Sequence, residues 1–199
     1  MKPELEDKLK EKYPKIFSGR YGGLGIGDGW YSLLDALCGV IQQHIENRTD
    51  QRQYDIEYNE MVLAGRNGDI SKLNETLEFM DAISRAARID QILREELRLV
   101  DEEIKQVFAV QVKEKFGGLR FYINVGDDYI NGAIMMAENM SYHICEECGA
   151  PGEPAGPGWI LTLCEVHKKE RQAKYAKECY ISDELDDVLP AHEGEVNGE

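Results

Sequence analysis

Two pairs of metal-ligating residues near the C-terminus constrain this chain more than any other feature. Residues 143–169 read H-I-C-E-E-C-G-A-P-G-E-P-A-G-P-G-W-I-L-T-L-C-E-V-H-K-K. Two residues separate Cys145 from Cys148, two separate Cys164 from His167, and fifteen lie between the pairs. A two-residue gap lets one tight turn aim two side chains at a single ion, and two facing turns complete a tetrahedron. Zinc is the expected ion, one per chain. Three thiolates and an imidazole leave no position for water, whereas catalytic zinc keeps one, so the expected role is structural. Such an ion contributes on the order of 10 kcal/mol to folding the segment around it. The Gly- and Pro-rich stretch 149–158 supplies the connecting loop, and Trp159, Ile160 and Leu161 are expected to form the return strand. His143 lies outside the paired pattern.

Zinc deaminases also use Cys and His, pairing a Cys-x-x-Cys turn with an earlier His-x-Glu. His44-Ile45-Glu46 is formally such a triplet, but Cys145 and Cys148 are followed by their own second pair, which argues against that chemistry. Of the other cysteines, Cys38 falls on an apolar stripe and reads as a small buried hydrophobe, and Cys179 has no evident partner. Metal spacing rather than disulfide spacing fits a reducing cytoplasm.

The chain has 199 residues and a net charge of −15. The charge is uneven. Eight acids and no Lys or Arg fall from Glu178 to Glu199, leaving 30 acids against 23 bases in residues 1–177. An acidic body repels nucleic acid and anionic membranes at long range and suits basic protein partners or a small ligand in a local basic pocket. Simple solubility is the plainer reading of that charge and ranks ahead of a purposeful acidic surface. The N-terminus, M-K-P-E-L-E-D-K-L-K, has no apolar run, so neither a signal peptide nor a membrane span is expected.

The periodicities point to an α+β fold. Leu5 and Leu9 mark a short helix over 2–12, ended by Pro14. Residues 18–29 are a glycine-rich loop. Trp30 then opens a helix with Leu33, Leu34, Leu37, Cys38, Ile41 and Ile45 on one stripe, and Asp28 is its expected N-cap. Residues 48–69 read as polar loop, with Tyr54, Ile56 and Tyr58 alternating as a short strand would. A helical stretch follows over about 70–100, with Leu73, Leu77, Met80, Ile83, Ala87, Leu93 and Leu97 apolar and a break expected at 88–90. Residues 106–125 form the clearest hairpin: Phe108, Val110 and Val112 alternate on one arm and Leu119, Phe121, Ile123 and Val125 on the other, around Gly117-Gly118. Asp127 or Asp128 caps a helix over 129–142 with Ile130, Ile134, Ala137 and Met140 inward. The expected organisation is a core domain over 1–142, a zinc-ribbon module over 143–178 and an acidic, disordered tail over 179–199.

Three further features invite a functional reading. The loop G-G-L-G-I-G-D-G-W offers backbone N–H groups before a helix, as an anion site does. It lacks the Lys-Ser/Thr of a P-loop, and Asp28 repels phosphate. A structural loop over the core is the first reading; in the alternative, a ligand-facing loop, Gly25, Gly27, Asp28 and Trp30 are the candidate residues. On the hairpin, Arg120 and Tyr122 share one face with Lys113 and Lys115; a cation and a phenol there can hold a carboxylate, a phosphate or a base, or face solvent. After the second ligand pair, Lys168, Arg171, Lys174 and Lys177 recur at three-residue intervals, a stripe that zinc ribbons use on nucleic acid but that neighbouring glutamates offset. No nucleophile constellation emerges, and no catalytic residue is assigned.

The words G-D-G-W-Y-S-L-L at 27–34, Q-V-K-E-K-F-G-G-L-R-F-Y at 111–122, A-E-N-M-S at 137–141, and C-E-E-C-G-A-P-G with T-L-C-E-V-H at 145–167 resemble a widespread group of small phage- and prophage-encoded proteins. The resemblance covers about half the chain, leaving out 48–100 and the acidic tail. It implies a setting, the bacterial host cytoplasm, and an accessory role against a host system. Blocking a host protein, which would serve immune evasion, ranks first. Sequestering a nucleotide-type signal through the glycine loop and hairpin ranks second, nucleic-acid binding through the ribbon third, and catalysis last.

Overall fold

The computed structural model describes residues 1–19, 22–156 and 158–186. Its fold is α+β, 54% helical with two small sheets. Helix α1 spans Pro3–Lys12, and strand β1 is the dipeptide Leu24–Gly25. A 3₁₀ turn, Asp28–Trp30, leads into α2, Tyr31–Arg66. Helices α3, Ser71–Thr76, and α4, Ala82–Arg94, follow. Strands β2, Ala109–Lys115, and β3, Gly118–Ile123, form the hairpin, and α5 spans Asp128–Ser141. Strands β4, Glu153–Ala155, and β5, Leu161–Leu163, then precede α6, Glu165–Asp186. The expected tail thus begins as the last turns of α6, and 187–199 lie outside the described residues. No described helix is long and apolar enough to cross a membrane.

The main core is built where the sequence pattern placed it. Leu9 of α1, Trp30, the Leu34–Ile45 stripe of α2, Val112, Leu119 and Phe121 of the hairpin and Ile130 of α5 are all buried together. The sheet order is β1-β2-β3, with β1 parallel to β2 and β2 antiparallel to β3. The hairpin turn sits one residue earlier than expected. Phe116 and Gly117 are its central residues, with φ of 55° and 78°, and Lys115 pairs with Gly118. Positive φ at both central positions is what a type I′ turn requires. A register shift between Ala109 and Gln111 breaks the expected alternation of the first arm. Ala109 and Val112 therefore face the core, while Phe108 and Val110 are exposed.

Strand β3 is the sheet edge, and α5 covers it. Ser141 Oγ accepts from Leu119 N at 2.8 Å, and a Glu138 carboxylate oxygen accepts from Phe121 N at 2.9 Å. Two backbone donors that would otherwise present an open edge are thereby satisfied. Asp127 caps α5 by accepting from Ile130 N at 2.9 Å, as expected. Ile130, Ile134 and Ala137 point inward, but Met140 is 46% exposed.

The central region departs most from expectation. Residues 48–66 are the second half of α2 and hold no strand. Tyr54 and Tyr58 are four apart as well as alternating with Ile56, and the helical period prevails. Their rings neighbour one another at 6.5 Å, and the Arg98 guanidinium lies over both, at 4.7 and 3.9 Å. Pairs spaced by four, Gln51–Asp55 and Gln53–Glu57, tie successive turns. Val62 then enters a second small core with Leu73, Ile89 and Ile92. The break in the following helical stretch falls at 77–81 rather than 88–90, because Asp81 caps α4, accepting from Ile83 N and Ser84 N at 3.0 Å each. Ile83 is consequently 84% exposed, and Leu97 lies beyond the helix.

Candidate metal centre

Each ligand pair sits on a tight turn that the local sequence enforces. In the first, Gly149 N donates to Cys145 O at 2.8 Å and Cys145 N donates to Ala150 O at 2.7 Å. Gly149 carries a φ of 78°, which only glycine adopts freely. In the second, Cys164 precedes α6 and His167 lies in its first turn; Lys168 N donates to Cys164 O at 2.9 Å. Strands β4 and β5 pair antiparallel between the two turns, and Glu146 N donates to Thr162 O at 2.9 Å. The return strand is Leu161–Leu163, two residues later than expected, and Trp159 lies outside it, 65% exposed.

These turns bring Cys145, Cys148, Cys164 and His167 together, with ligand atoms all within 4.8 Å of one another. Cys145 Sγ lies 3.4 Å and Cys164 Sγ 3.2 Å from His167 Nδ1, and Cys148 Sγ is 3.9 Å from Cys164 Sγ. A tetrahedron with metal–sulfur bonds of about 2.3 Å and a metal–nitrogen bond of about 2.0 Å has edges of roughly 3.5 to 3.8 Å. The three separations given lie within about 0.3 Å of those edges, and the cluster is consistent with a metal site. Hydrogen bonding from the His167 backbone N–H draws the Cys164 thiol down to about 6, toward the thiolate a metal needs. The other imidazole nitrogen, Nε2, faces the Glu170 carboxylate at 3.8 Å. The His44-Ile45-Glu46 triplet stands apart from this group. His44 Nε2 bonds Asp127 at 2.7 Å and its ring stacks on Tyr129, and among the described residues only the four named form a metal-ligating cluster.

The glycine loop packs directly onto the first ligand turn, a relationship that the sequence did not disclose. Gly29 N donates to Glu146 O at 2.7 Å, and Gly27 N donates to Glu146 Oε1 at 3.0 Å. A Cβ on Gly27 would meet Glu146 O at 2.2 Å. One on Gly29 would meet Cys145 O at 2.1 Å and Cys148 N at 2.7 Å. Trp30, fully buried, donates from Nε1 to Ile144 O at 2.8 Å. On the other side, Thr162 Oγ1 donates to Gly117 O at 2.6 Å. The Cys/His cluster is therefore fixed to the core at the glycine loop and at the hairpin turn. Burial pushes the Glu146 carboxyl up to about 7, and its Oε2 is buried with no hydrogen-bond partner among the described residues.

The remaining candidates take varied places. Asp28 does not cap α2. Its carboxylate accepts from Lys2 N at 2.7 Å and pairs with Lys2 Nζ at 2.9 Å, tying down the start of α1. Gly25 lies in β1, exposed. Arg120 bonds the Tyr142 hydroxyl at 2.8 Å, and Tyr122 is 48% exposed with Lys113 Nζ 5.6 Å from its ring centre. On α6, Lys168 pairs with Glu153 and Glu165, and Arg171 bonds the Ala155 and Trp159 carbonyls; the Lys177 side chain lies outside the described residues. Comparison with family models, with curated proteins and with solved structures returned no match.

Proposed function

We propose that the four residues hold one structural zinc and that the chain works by binding a partner protein rather than by transforming a substrate. The donor set supports the first part, since three sulfurs and one imidazole nitrogen suit zinc and leave no position open for a reacting water. Zinc there would hold the two ligand turns against the glycine loop and so stabilise the whole fold.

The outer face of α5 carries the second part. Tyr129, Met135, Met136 and Met140 are 57, 64, 61 and 46% exposed, opposite the buried Ile130, Ile134 and Ala137. Methionine adapts to varied partner surfaces, and a contiguous apolar patch marks a contact site. The net charge of −15 selects a partner whose apolar segment is ringed by Lys and Arg. In keeping with the phage-protein resemblance, that partner is a host protein of the bacterial cytoplasm, and its occupation by this chain is the activity. The test is affinity capture from bacterial extract with the unaltered chain and with Met136→Glu. One stoichiometric partner, lost in the variant while metal content and melting temperature stay unchanged, supports the reading. Retention of that partner by the variant, or no stoichiometric partner at all, refutes it.

A further inference from the structure

The outer face of the three-stranded sheet carries a feature at odds with the rest of this acidic chain. The register places Gly25, Lys113 and Arg120 in one row across β1, β2 and β3. Lys115 and Tyr122 flank that row on the same face, since side chains two apart on a strand point the same way. The contact of Lys113 Nζ with the Tyr122 ring, 5.6 Å from its centre, confirms their common side. The Tyr142 hydroxyl adjoins the end of the row, 2.8 Å from Arg120 Nη2. Among the described residues none of Lys113, Lys115 and Arg120 is in an ion pair. Three cations thus stand together without a paired carboxylate, Glu138 acting on Arg120 only at longer range, in a chain that carries 38 acids against 23 bases.

Gly25 adds a second, independent observation. At Gly27 and Gly29 an added Cβ would collide with backbone atoms at 2.2 and 2.1 Å, so packing forces the glycine. At Gly25 the nearest atoms would lie at 3.6 and 3.8 Å, an ordinary contact, and its φ is not in the left-handed region. The fold does not require glycine there. Being exposed and without a side chain, Gly25 leaves the sheet surface beside Lys113 uncovered.

We infer that this face is a nucleotide site: Lys113 and Arg120 hold a phosphate group over the uncovered surface at Gly25, and Tyr122 stacks the base. Neighbouring strands lie about 5 Å apart, so the two side chains leave the sheet side by side and reach one phosphate once Arg120 turns from Leu119 O and the Tyr142 hydroxyl and Lys113 from the Tyr122 ring. Tyr122 follows Arg120 by about 7 Å along β3, a spacing suited to a phosphate and a base joined through a sugar. Aromatic stacking tolerates any base, and Arg and Lys supply the anion contacts. The overall negative charge repels a long polyanion while leaving room for a ligand of a few charges, which selects a free nucleotide over a nucleic acid strand.

The test is calorimetric titration of the metal-loaded full chain at low salt with ATP, tripolyphosphate and a twenty-residue oligothymidylate. Saturable ATP binding is expected. Lys113→Gln should weaken it at least about tenfold, and Gly25→Val should weaken it by covering that surface. Tyr122→Ala should weaken ATP while leaving tripolyphosphate unchanged, which separates base stacking from bare anion attraction. Met136→Glu should bind ATP normally, so this site and the α5 surface stand or fall separately. The absence of saturable ATP binding, equal binding by Lys113→Gln at an unchanged melting temperature, or tighter binding of the oligothymidylate would each overturn the inference.

Discussion

Gly29 lies so close to Cys145 that a methyl group on its α-carbon would meet the Cys145 carbonyl oxygen at 2.1 Å. These two residues are joined by nothing in the sequence pattern, yet their contact seats the first ligand turn on the core. Because backbone atoms block the position, no side-chain rotation relieves the clash. Gly29→Ala should destabilise the chain by about 1–3 kcal/mol, the usual cost of overpacking, and should speed release of the metal to a chelator. A melting curve and a chelator competition check it. A variant as stable and as slow to release metal as the unaltered chain would show the contact to be incidental.

Cys148→Ser removes one ligand without touching the core, since Cys148 is exposed. The metal should be lost, and with it on the order of 10 kcal/mol of folding free energy for residues 143–168. Trp30 and Gly117 bond this segment, so the melting temperature of the whole chain should fall as well. Cys38 offers the contrast. It is fully buried, and burial pushes its thiol well above the usual range. It should resist alkylation in the folded chain, and Cys38→Ala should leave metal content unchanged. Mass spectrometry after brief alkylation reads both.

Glu138 and Ser141 close the edge of β3, and each satisfies one backbone N–H. Removing either acceptor leaves a buried donor unpaired, at about 1–3 kcal/mol. The double variant Glu138→Ala/Ser141→Ala should in addition self-associate, because an uncovered edge invites strand pairing. Sedimentation at several concentrations tests this; a monomeric double variant of unchanged stability would contradict it.

Asp127 joins the N-terminus of α5 to α2 through His44. Burial alone would raise its carboxyl, but the Ile130 N–H and His44 outweigh burial, and the net shift is downward. A depressed carboxylate contributes stability that is present above its unfolded value, about 3.9, and is lost as pH falls through its lower folded value. Asp127→Ala should therefore cost about 0.5–2 kcal/mol near neutrality and progressively less below about pH 4. Urea midpoints across that range give the comparison.

The parts of this fold legible in the sequence are those fixed by local chemistry. The ligand spacing of Cys145, Cys148, Cys164 and His167, the Asp127 cap and the Leu33–Ile45 stripe each need only a few neighbouring residues to be read. The parts that were not legible depend on distant partners. Tyr54, Ile56 and Tyr58 alternate within a window too short to separate a strand from a helix, and the Arg98 guanidinium that covers both rings lies forty residues on. Strand β1 is two residues long and exists because β2 receives it. The glycine loop offered backbone N–H groups, but the sequence did not say what they meet. The answer, the Cys145 turn, lies more than a hundred residues away. The same register that explains β1 also brings Gly25 beside Lys113 and Arg120, a juxtaposition that no single segment contains.

The most direct measurement is X-ray absorption at the zinc edge on protein purified without added metal, with metal content determined on the same sample. One zinc per chain is the expected stoichiometry, with three sulfurs at about 2.3 Å, one nitrogen at about 2.0 Å and no oxygen ligand. A chain without zinc, or a zinc with a bound water in place of Cys148 or His167, would contradict a closed structural site.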